Sequence, residues 1–282
     1  MRPRCVRHYR SAAQKRVIDM ASLSHVSDLF RLTGQVALVT GAAQGLGWAI
    51  AQAMAAHGAA VVLADIQAQA CEEAAAVLRA QGHEALALGC DMADAAQVER
   101  LVQAASAWRG HVDTLVCNAG VQGPAGPLAQ ASDADWQRVW DINLRGAARL
   151  AQGLIPGMAA RGGGSVVLMS SIAGLRGNAS IGLYGLSKAA LAQLARNLAV
   201  EWGPQQVRVN AISPGLIRSP LSTGLMDNAQ FMQRRLALTP LRRVGEPHEV
   251  AGVAVMLASP AGAFITGQNL VVDGGTLITD GN

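Results

Sequence analysis

The stretch TGAAQGLG at residues 40–47 decides the fold class of this chain. It joins a short apolar run, Val36–Thr40, to an Ala-rich segment, Gly45–His57, that has the length of a helix. A short apolar run that ends at glycine is typical of a buried strand. A strand, a glycine turn and a helix at the start of an alternating pattern predict an α/β domain.

The alternation of short apolar runs and longer helical segments continues along the chain. Six further runs predict strands: Ala60–Asp65, Ala85–Gly89, Thr114–Cys117, Ser165–Ser170, Val207–Ile212 and Asn269–Val272. Five further segments predict helices: Ala68–Gln81, Ala95–Arg109, Asp133–Ala160, Tyr184–Trp202 and Glu246–Ala258. Strands separated by crossover helices pair in parallel and are covered on both faces. The pattern therefore predicts a doubly wound α/β fold, with a seven-stranded parallel sheet in a single domain.

The three glycines of the opening turn, Gly41, Gly45 and Gly47, indicate a nucleotide site. Glycine permits a tight turn and lets backbone N–H groups approach a pyrophosphate, and the following helix directs the positive end of its dipole at that anion. Glycines also serve ordinary turns, but their place between the first strand and the first helix predicts dinucleotide binding. Gln44 and Leu46 complete the predicted binding turn.

Asp65 ends the second predicted strand, where the adenosine ribose of a dinucleotide would lie. Its carboxylate can accept hydrogen bonds from the ribose hydroxyls and would repel a 2′-phosphate. No Arg or Lys occupies residues 42–44 or 66–69. We therefore predict NAD rather than NADP as the cofactor, although Asp65 could also cap the next helix. Asp91, after the third strand, could face the adenine or cap a helix.

The charges separate an N-terminal tail from the rest of the chain. The chain has 23 basic and 19 acidic residues, but six basic residues and one acidic residue lie within residues 1–19. The remainder carries a net charge of −1. We therefore predict a disordered extension at residues 1–26, a single catalytic domain at residues 27–282 and no nucleic-acid binding. An upstream start codon, with Met20 as the true start, and a mitochondrial transit peptide are alternative explanations of the tail.

Tyr184 and Lys188 are the only tyrosine and the only lysine after the tail, and they lie four residues apart on a predicted helix. Their side chains share one helix face, where the ammonium is expected to lower the phenol pKa from about 10. Tyr184 could then exchange a proton with a ketone or an alcohol, unless the pair is merely a surface lysine beside a half-buried tyrosine. Ser171 could bond the same substrate oxygen, whereas the Ser170 side chain points the opposite way because side chains alternate along a strand.

Several motifs that occur in order resemble the short-chain dehydrogenase/reductase superfamily over residues 30–277. The motifs are Gly41–Gly47, Asn118-Ala119-Gly120, Asn143, Ser171, Tyr184–Lys188 and Pro214-Gly215. The resemblance implies a Rossmann-type fold and an oxidoreductase that interconverts a secondary alcohol and a ketone by hydride transfer. It also implies a catalytic tetrad of Asn143, Ser171, Tyr184 and Lys188. In that tetrad Lys188 also binds the nicotinamide ribose, and Asn143 holds a relay water by distorting its helix.

The resemblance extends the predicted cofactor site beyond the glycine turn. Asn118-Ala119-Gly120 would support the central strand, and the segment after Pro214 would hold the nicotinamide carboxamide. Cys117 stands where the family often has another asparagine, so one supporting hydrogen bond is expected to be lost or supplied by the backbone. The predicted contacts outside the turn are Asp65, Ile66, Asp91, Met92, Asn118, Ala119, Gly120, Tyr184, Lys188, Pro214, Gly215, Ile217 and Ser219.

The substrate is not decided by the sequence. Residues 216–240 are predicted to form a lid, and Arg176 and Asn178 could meet a polar or acidic substrate or lie in solvent. The apolar lid residues, which either pack or contact substrate, are Leu221, Leu225, Met226, Phe231 and Met232. Two rival functions stay open: an NADPH-dependent 3-oxoacyl-type ketoreductase, disfavoured by Asp65, and a non-catalytic dinucleotide sensor, disfavoured by the tetrad.

The remaining expectations concern environment and assembly. Residues 1–26 lack the apolar core of a secretory signal, and no apolar run is long enough to span a membrane. The cysteines and histidines have no metal-ligand spacing, so we expect no metal and reduced thiols in a cytoplasmic protein. The segment Ile265–Gly275 resembles the family's closing strand, which implies a homotetramer or a homodimer.

Overall fold

The computed structural model describes residues 26–279, so the predicted N-terminal extension lies outside the described residues apart from Val26. Seven strands form the sheet: β1 (Val36–Thr40), β2 (Ala60–Asp65), β3 (Ala85–Gly89), β4 (Thr114–Cys117), β5 (Gly164–Met169), β6 (Val207–Pro214) and β7 (Asn269–Val272). All neighbouring strands are parallel, in the order β3-β2-β1-β4-β5-β6-β7. The predicted doubly wound α/β fold with seven parallel strands is confirmed. Two strand ends differ from the prediction, because β5 lies one residue earlier and β6 continues to Pro214.

Nine α-helices connect the strands or follow them within the described residues. They are α1 (Gly45–Ala56), α2 (Ala68–Ala80), α3 (Ala95–Arg109), α4 (Asp133–Trp140), α5 (Gly146–Ala160), α6 (Gly182–Trp202), α7 (Thr223–Met226), α8 (Ala229–Ala237) and α9 (Pro247–Ala258). None of them is both long enough and apolar enough to cross a bilayer, which holds for residues 26–279.

Alternating side chains of the central strands build two hydrophobic cores, one on each face of the sheet. In β1, Val36 and Leu38 pack with residues of α3, α5 and α6, whereas Ala37 and Val39 pack with residues of α1, α2 and α9. All four side chains are fully buried. Burial of each valine or leucine side chain contributes about 1.5–3 kcal/mol to the free energy of folding.

The predicted segment Asp133–Ala160 is helical along its whole length, but it is not one regular α-helix, and the distortion that the resemblance implies at Asn143 is present. Between α4 and α5 the chain makes a π-helical turn over Asp141–Arg145. Asn143 lies in this wider turn and makes a long-range contact there. Its side chain forms two hydrogen bonds with the backbone of Val121. Such π turns are rare and occur frequently at functional sites.

The parallel sheet places the ends of β1 and β4 side by side at the point where the strand order reverses. Helices leave neighbouring strands toward opposite faces there, which opens a crevice outside the carboxyl ends of the strands. Residues 216–240, the predicted lid, follow β6 and contain a short 3-10 turn, Pro220–Ser222, together with α7 and α8.

Candidate active site

A cavity of about 600 Å³ occupies this crevice. Its volume lies within the range of small-molecule and cofactor sites. All the predicted catalytic and cofactor-binding residues line it except Gly47 and Asn143. The structure therefore brings together residues that are separated by up to about 180 positions in the sequence.

The glycine turn is built for close backbone approach. Gly41 and Gly45 have φ values of 63° and 58°, in the left-handed region that favours glycine. Gly47 serves a different purpose, because a Cβ atom at this position would lie 2.1 Å from the carbonyl oxygen of Gly41. Gly47 thus allows α1 to pack against the turn, while Gly41 and Gly45 line the cavity at the amino end of α1.

The ends of β1 and β4 are held together by Thr40 and Asn118. The Thr40 hydroxyl oxygen accepts hydrogen bonds from the backbone N–H groups of Asn118 and Ala119, both at 3.0 Å. The Asn118 side-chain amide donates to the carbonyl oxygens of Thr40 and Gly41, at 2.9 and 3.1 Å. Cys117 is buried, and its Sγ lies 3.9 Å from the carbonyl oxygen of Ala147. Thr40 and Asn118 therefore join the two strands without an asparagine at position 117.

Asp65 lines the cavity while its two carboxylate oxygens accept backbone hydrogen bonds. Oδ2 accepts from the N–H of Ala43 at 3.1 Å, and Oδ1 accepts from the N–H of Gln67 at 3.0 Å. Asp65 thus ties the glycine turn to the end of β2. The alternative reading of Asp91 as a helix cap is wrong, because Asp94 caps α3 by accepting from Ala96 and Gln97.

The Ser171 hydroxyl lies beside the Tyr184 phenol in the cavity wall, close enough to favour the phenolate. Ser170 points the opposite way, as its neighbouring position predicts, and donates to the carbonyl oxygen of Lys188 at 2.7 Å. The predicted lowering of the Tyr184 pKa is wrong for the protein alone. Burial raises this pKa because it desolvates the phenolate, and the hydrogen bond with Ser171 only partly opposes that effect.

Lys188 is buried beside the Tyr184 ring, and its Nζ lies 5.5 Å from the ring centre. This Nζ donates to the carbonyl oxygen of Met169 at 2.7 Å. Burial lowers the Lys188 pKa to about 8, because the ammonium loses its hydration in the closed site. Tyr184 and Lys188 are therefore not a surface pair.

Asn143 lies behind the cavity wall and holds two elements together. Its amide nitrogen donates to the carbonyl oxygen of Val121 and to the hydroxyl of Ser187, both at 2.9 Å, while its Oδ1 accepts from the N–H of Val121 at 2.8 Å. A Cβ atom on Gly120 would lie 3.2 Å from Asn143 Oδ1 and 3.3 Å from Lys188 Nζ. Gly120 therefore keeps the space between these two polar groups open.

The segment after β6 forms the other end of the cavity. The N–H of Gly215 donates to the carbonyl oxygen of Val272 at 2.9 Å, and a Cβ at Gly215 would lie 2.7 Å from the Asp273 Cα. Ser219 opens the 3-10 turn of the lid, where its hydroxyl oxygen lies 3.3 Å from that of Ser222. The close contact of Gly215 with Val272 and Asp273 fixes the path of the chain along the cavity.

The lining of the cavity differs from the sequence-based prediction at several residues of the lid and of the loop before α6. Of the five apolar lid residues considered, only Leu221 and Leu225 line the cavity. Asn178 lines it too, but its amide nitrogen is bonded to the carbonyl oxygens of Ala173 and Arg176. Arg235 was missed, because α8 contains two adjacent arginines and only the fold distinguishes their faces.

The residues present fit a nicotinamide dinucleotide. Gly41 and Gly45 offer backbone beside a helix amino end, Asp65 lies at the end of β2, and Lys188 lies beside the Ser171–Tyr184 pair. These features occur in one cavity and in the order in which the dinucleotide would cross the switch point of the sheet.

A family model described as enoyl-(acyl carrier protein) reductase matches residues 41–276. Dehydrogenase/reductase SDR family member 4 of Bos taurus is 39% identical over 246 residues, which cover 87% of this chain and 88% of that protein. The chain belongs to the short-chain dehydrogenase/reductase family. The cis-4-hydroxycyclohexanecarboxylate dehydrogenase of Sinomonas cyclohexanicum is also similar, with 41% identity over 241 residues, 86% of this chain and 96% of that protein.

Solved structures of this family match the whole catalytic unit. A 7α-hydroxysteroid dehydrogenase complexed with NADH and 7-oxo glycochenodeoxycholic acid aligns with a TM-score of 0.86 and 36% identity, over 89% of this chain and 97% of that one. A gluconate 5-dehydrogenase from Burkholderia cenocepacia J2315, in complex with NADP and tartrate, aligns with a TM-score of 0.87 and 33% identity, over 90% and 100% of the two chains. This short-chain dehydrogenase/reductase is thus an NAD(P)-dependent oxidoreductase that acts on alcohols and ketones.

Proposed function

We propose that this enzyme uses NAD in preference to NADP and interconverts a secondary alcohol and a ketone, with Tyr184 as the acid–base group. The observation that carries the proposal is the convergence of Ser171, Tyr184 and Lys188 on one cavity wall, with Lys188 Nζ 5.5 Å from the centre of the tyrosine ring. A tuned phenol beside a buried cation has no use in a dinucleotide sensor, so the arrangement supports catalysis.

A bound nicotinamide would supply or accept the hydride. Burial keeps the Tyr184 phenol protonated at neutral pH, so that it can donate its proton to the oxygen of a ketone. Ser171 binds the same oxygen through its hydroxyl and orients it. In the oxidative direction the proton returns to Tyr184, and Lys188, beside the ring, stabilises the phenolate. Asn143 positions this group by fixing the loop after β4 against α6.

The preference for NAD is supported by the charge of Asp65. The Asp65 carboxylate accepts two backbone hydrogen bonds and lines the cavity at the end of β2. Two unit charges 6 Å apart repel by about 3 kcal/mol at an effective dielectric constant of about 20. A 2′-phosphate would meet that repulsion without a basic residue at positions 42–44 or 66–69 to offset it.

A panel of secondary alcohols and ketones, assayed with NAD and with NADP by the absorbance of the reduced nicotinamide, tests the proposal. The panel includes 4-hydroxycyclohexanecarboxylate, gluconate and a hydroxysteroid, because relatives are named for such compounds. We expect turnover of at least one compound, and a higher kcat/KM with NAD. Absence of turnover across the panel with both cofactors, despite binding of NADH, would favour a sensor.

The Asp65→Asn variant removes the charge and keeps the size and one acceptor oxygen. We expect the ratio of kcat/KM with NADP to that with NAD to rise between ten- and a hundredfold, since tenfold corresponds to about 1.4 kcal/mol of lost repulsion. Adding Ile66→Arg, at an exposed position that lines the cavity, should raise the ratio further. The matched control is Asp91→Asn, which removes a second cavity carboxylate and should leave the ratio nearly unchanged. A wild-type preference for NADP would show that Asp65 does not select the cofactor.

A further inference from the structure

The charged residues of the cavity wall are separated by sign. Among residues 26–279, Asp65 and Asp91 are the only acidic residues that line it, and they follow β2 and β3, on one side of the boundary between β1 and β4. The basic residues all follow strands on the other side and include Lys188: they are Arg138, Arg176, Lys188 and Arg235. The part of the cavity that holds the Ser171–Tyr184 pair therefore contains cations and no carboxylate.

Arg176 and Arg235 approach this part from two different segments. Arg176 lies five residues after Ser171, in the loop before α6, and Arg235 lies on α8 of the predicted lid. The two guanidinium groups are near enough for the charge of Arg176 to help lower the Arg235 pKa, although burial is the larger cause. Two like charges have thus been brought together at the edge of the site.

Neither guanidinium has a carboxylate within 4 Å among residues 26–279. Several arginines elsewhere in this range do have such partners, as Arg145 does in Asp141 and Arg243 does in Glu249. Arg235 is half-buried, and its Nε is buried without a hydrogen-bond partner. A partly desolvated cation without a carboxylate in direct contact is costly, and a bound anion would offset that cost.

The surroundings hold the Arg235 side chain and the backbone at Arg176 in place. Arg235 lies over the ring of Phe231 at 5.9 Å, and the loop of Arg176 is fixed by Asn178, which bonds the Arg176 carbonyl oxygen at 2.9 Å. The charge of Asp273 raises the Arg235 pKa and opposes the effect of Arg176, but Asp273 forms no ion pair with Arg235 within 4 Å, and its oxygens accept from the N–H groups of Gly275 and Leu277 at 2.8 and 2.7 Å. Arg235 is therefore held in the cavity wall, and neither arginine has a carboxylate in direct contact among residues 26–279.

We propose that the substrate is a hydroxy or oxo carboxylic acid whose carboxylate is bound by Arg176 and Arg235 while its alcohol or ketone oxygen lies at Tyr184. This inference rests on the proposed alcohol–ketone function and adds the substrate class. Guanidinium groups match the two oxygens of a carboxylate in planar, two-point contacts. The lid contributes apolar Leu221 and Leu225 to the same wall, which suit a hydrocarbon body between the two polar ends.

The first test compares a hydroxy acid with its uncharged counterpart. We expect wild-type kcat/KM for 4-hydroxycyclohexanecarboxylate to exceed that for its methyl ester at least tenfold. Arg235→Gln and Arg176→Gln should each lower kcat/KM for the acid ten- to a hundredfold, mainly through KM, and leave the ester nearly unchanged. Arg234→Gln is the matched control, because Arg234 is the exposed neighbour on α8 that does not line the cavity.

A second readout does not need turnover. Cyclohexanecarboxylate, cyclohexanecarboxamide and cyclohexyl phosphate are titrated against the enzyme loaded with NADH, by calorimetry. We expect the carboxylate to bind to the wild type and the Arg234→Gln variant, and to bind at least tenfold more weakly to the Arg235→Gln variant. Equal binding of the carboxamide, or equal losses for acid and ester, would overturn the carboxylate site.

Tighter binding of the phosphate would overturn it in favour of a phosphate ester. These outcomes are separable from a failure of the proposed function. That failure would appear as absence of turnover of every alcohol and ketone with either cofactor, whether or not the carboxylate binds.

Discussion

The Tyr184→Phe variant is expected to lose about a thousandfold in kcat while its Kd for NADH stays within a few-fold of the wild type. Phenylalanine keeps the ring but has no proton to give, and general acid–base catalysis contributes about 10²–10⁴-fold to a rate. The folded chain should change little, since the change removes one hydroxyl, whose interaction with Ser171 is worth at most a typical hydrogen bond of about 0.5–1.5 kcal/mol. Stopped-flow reduction of a ketone and fluorescence titration with NADH measure the two quantities separately.

The adjacent serines supply a matched control for this experiment. Ser171→Ala removes the hydroxyl beside the Tyr184 phenol. Ser170→Ala removes a buried hydroxyl that donates to the backbone carbonyl oxygen of Lys188 and points away from Tyr184. We expect Ser171→Ala to lower kcat at least tenfold. We expect Ser170→Ala to lower the free energy of unfolding and to change kcat by less than Ser171→Ala does. If Tyr184→Phe retains more than a tenth of wild-type kcat, Tyr184 is not the acid–base group.

The sequence predicts the sheet well because each strand is a short apolar run that ends at a glycine, an aspartate or a polar turn. Those ends also carry the motifs, so parallel pairing alone brings Thr40 within 3.0 Å of the backbone of Asn118, 78 residues away. The location of the candidate site at the β1–β4 boundary therefore follows from the order of the strands.

Features that depend on long-range contacts were not readable from local pattern. The π turn at Asp141–Arg145 accompanies the contact of Asn143 with Val121, which helix periodicity does not reveal. Arg234 and Arg235 are adjacent arginines, and nothing in the local sequence distinguishes them. Only the packing of the lid places Arg235, and not Arg234, in the cavity wall. The predicted direction of the Tyr184 pKa shift is wrong for the same reason. The spacing to Lys188 is visible in the sequence, but the burial that raises this pKa is not.

The second large effect is expected at Lys188, where activity and stability should change in opposite directions. Lys188→Met removes the cation beside Tyr184, so we expect kcat/KM to fall at least a hundredfold. The same change should stabilise the chain at pH 7, because the ammonium is buried, with one carbonyl oxygen, that of Met169, as its hydrogen-bond acceptor. Methionine has a similar length and fills such a space without charge.

The pH dependence distinguishes this explanation from simple repacking. The Lys188 pKa is about 8 in the folded chain and 10.5 for a lysine in an unfolded chain. Between pH 8 and pH 10.5 the unfolded chain therefore binds more protons than the folded chain. The wild type therefore gains stability as the pH rises from about 8 to about 10.5, and below pH 8 it bears the full cost. That cost corresponds to about 3 kcal/mol, of which the unpaired Met169 carbonyl oxygen in the variant offsets about 1 kcal/mol.

Urea denaturation at pH 7 and at pH 10 measures this difference. Lys188→Met should be about 2 kcal/mol more stable than the wild type at pH 7, and the difference should shrink toward zero or reverse at pH 10. Lys188→Arg is the matched control, because it keeps a buried cation that does not titrate in this range and should show no gain. A Met variant that is less stable than the wild type by the same margin at both pH values would mean that the Lys188 ammonium is not strained by burial. In that case the lysine would be held for packing, and the stability of the fold would not be limited by the charge that the active site requires.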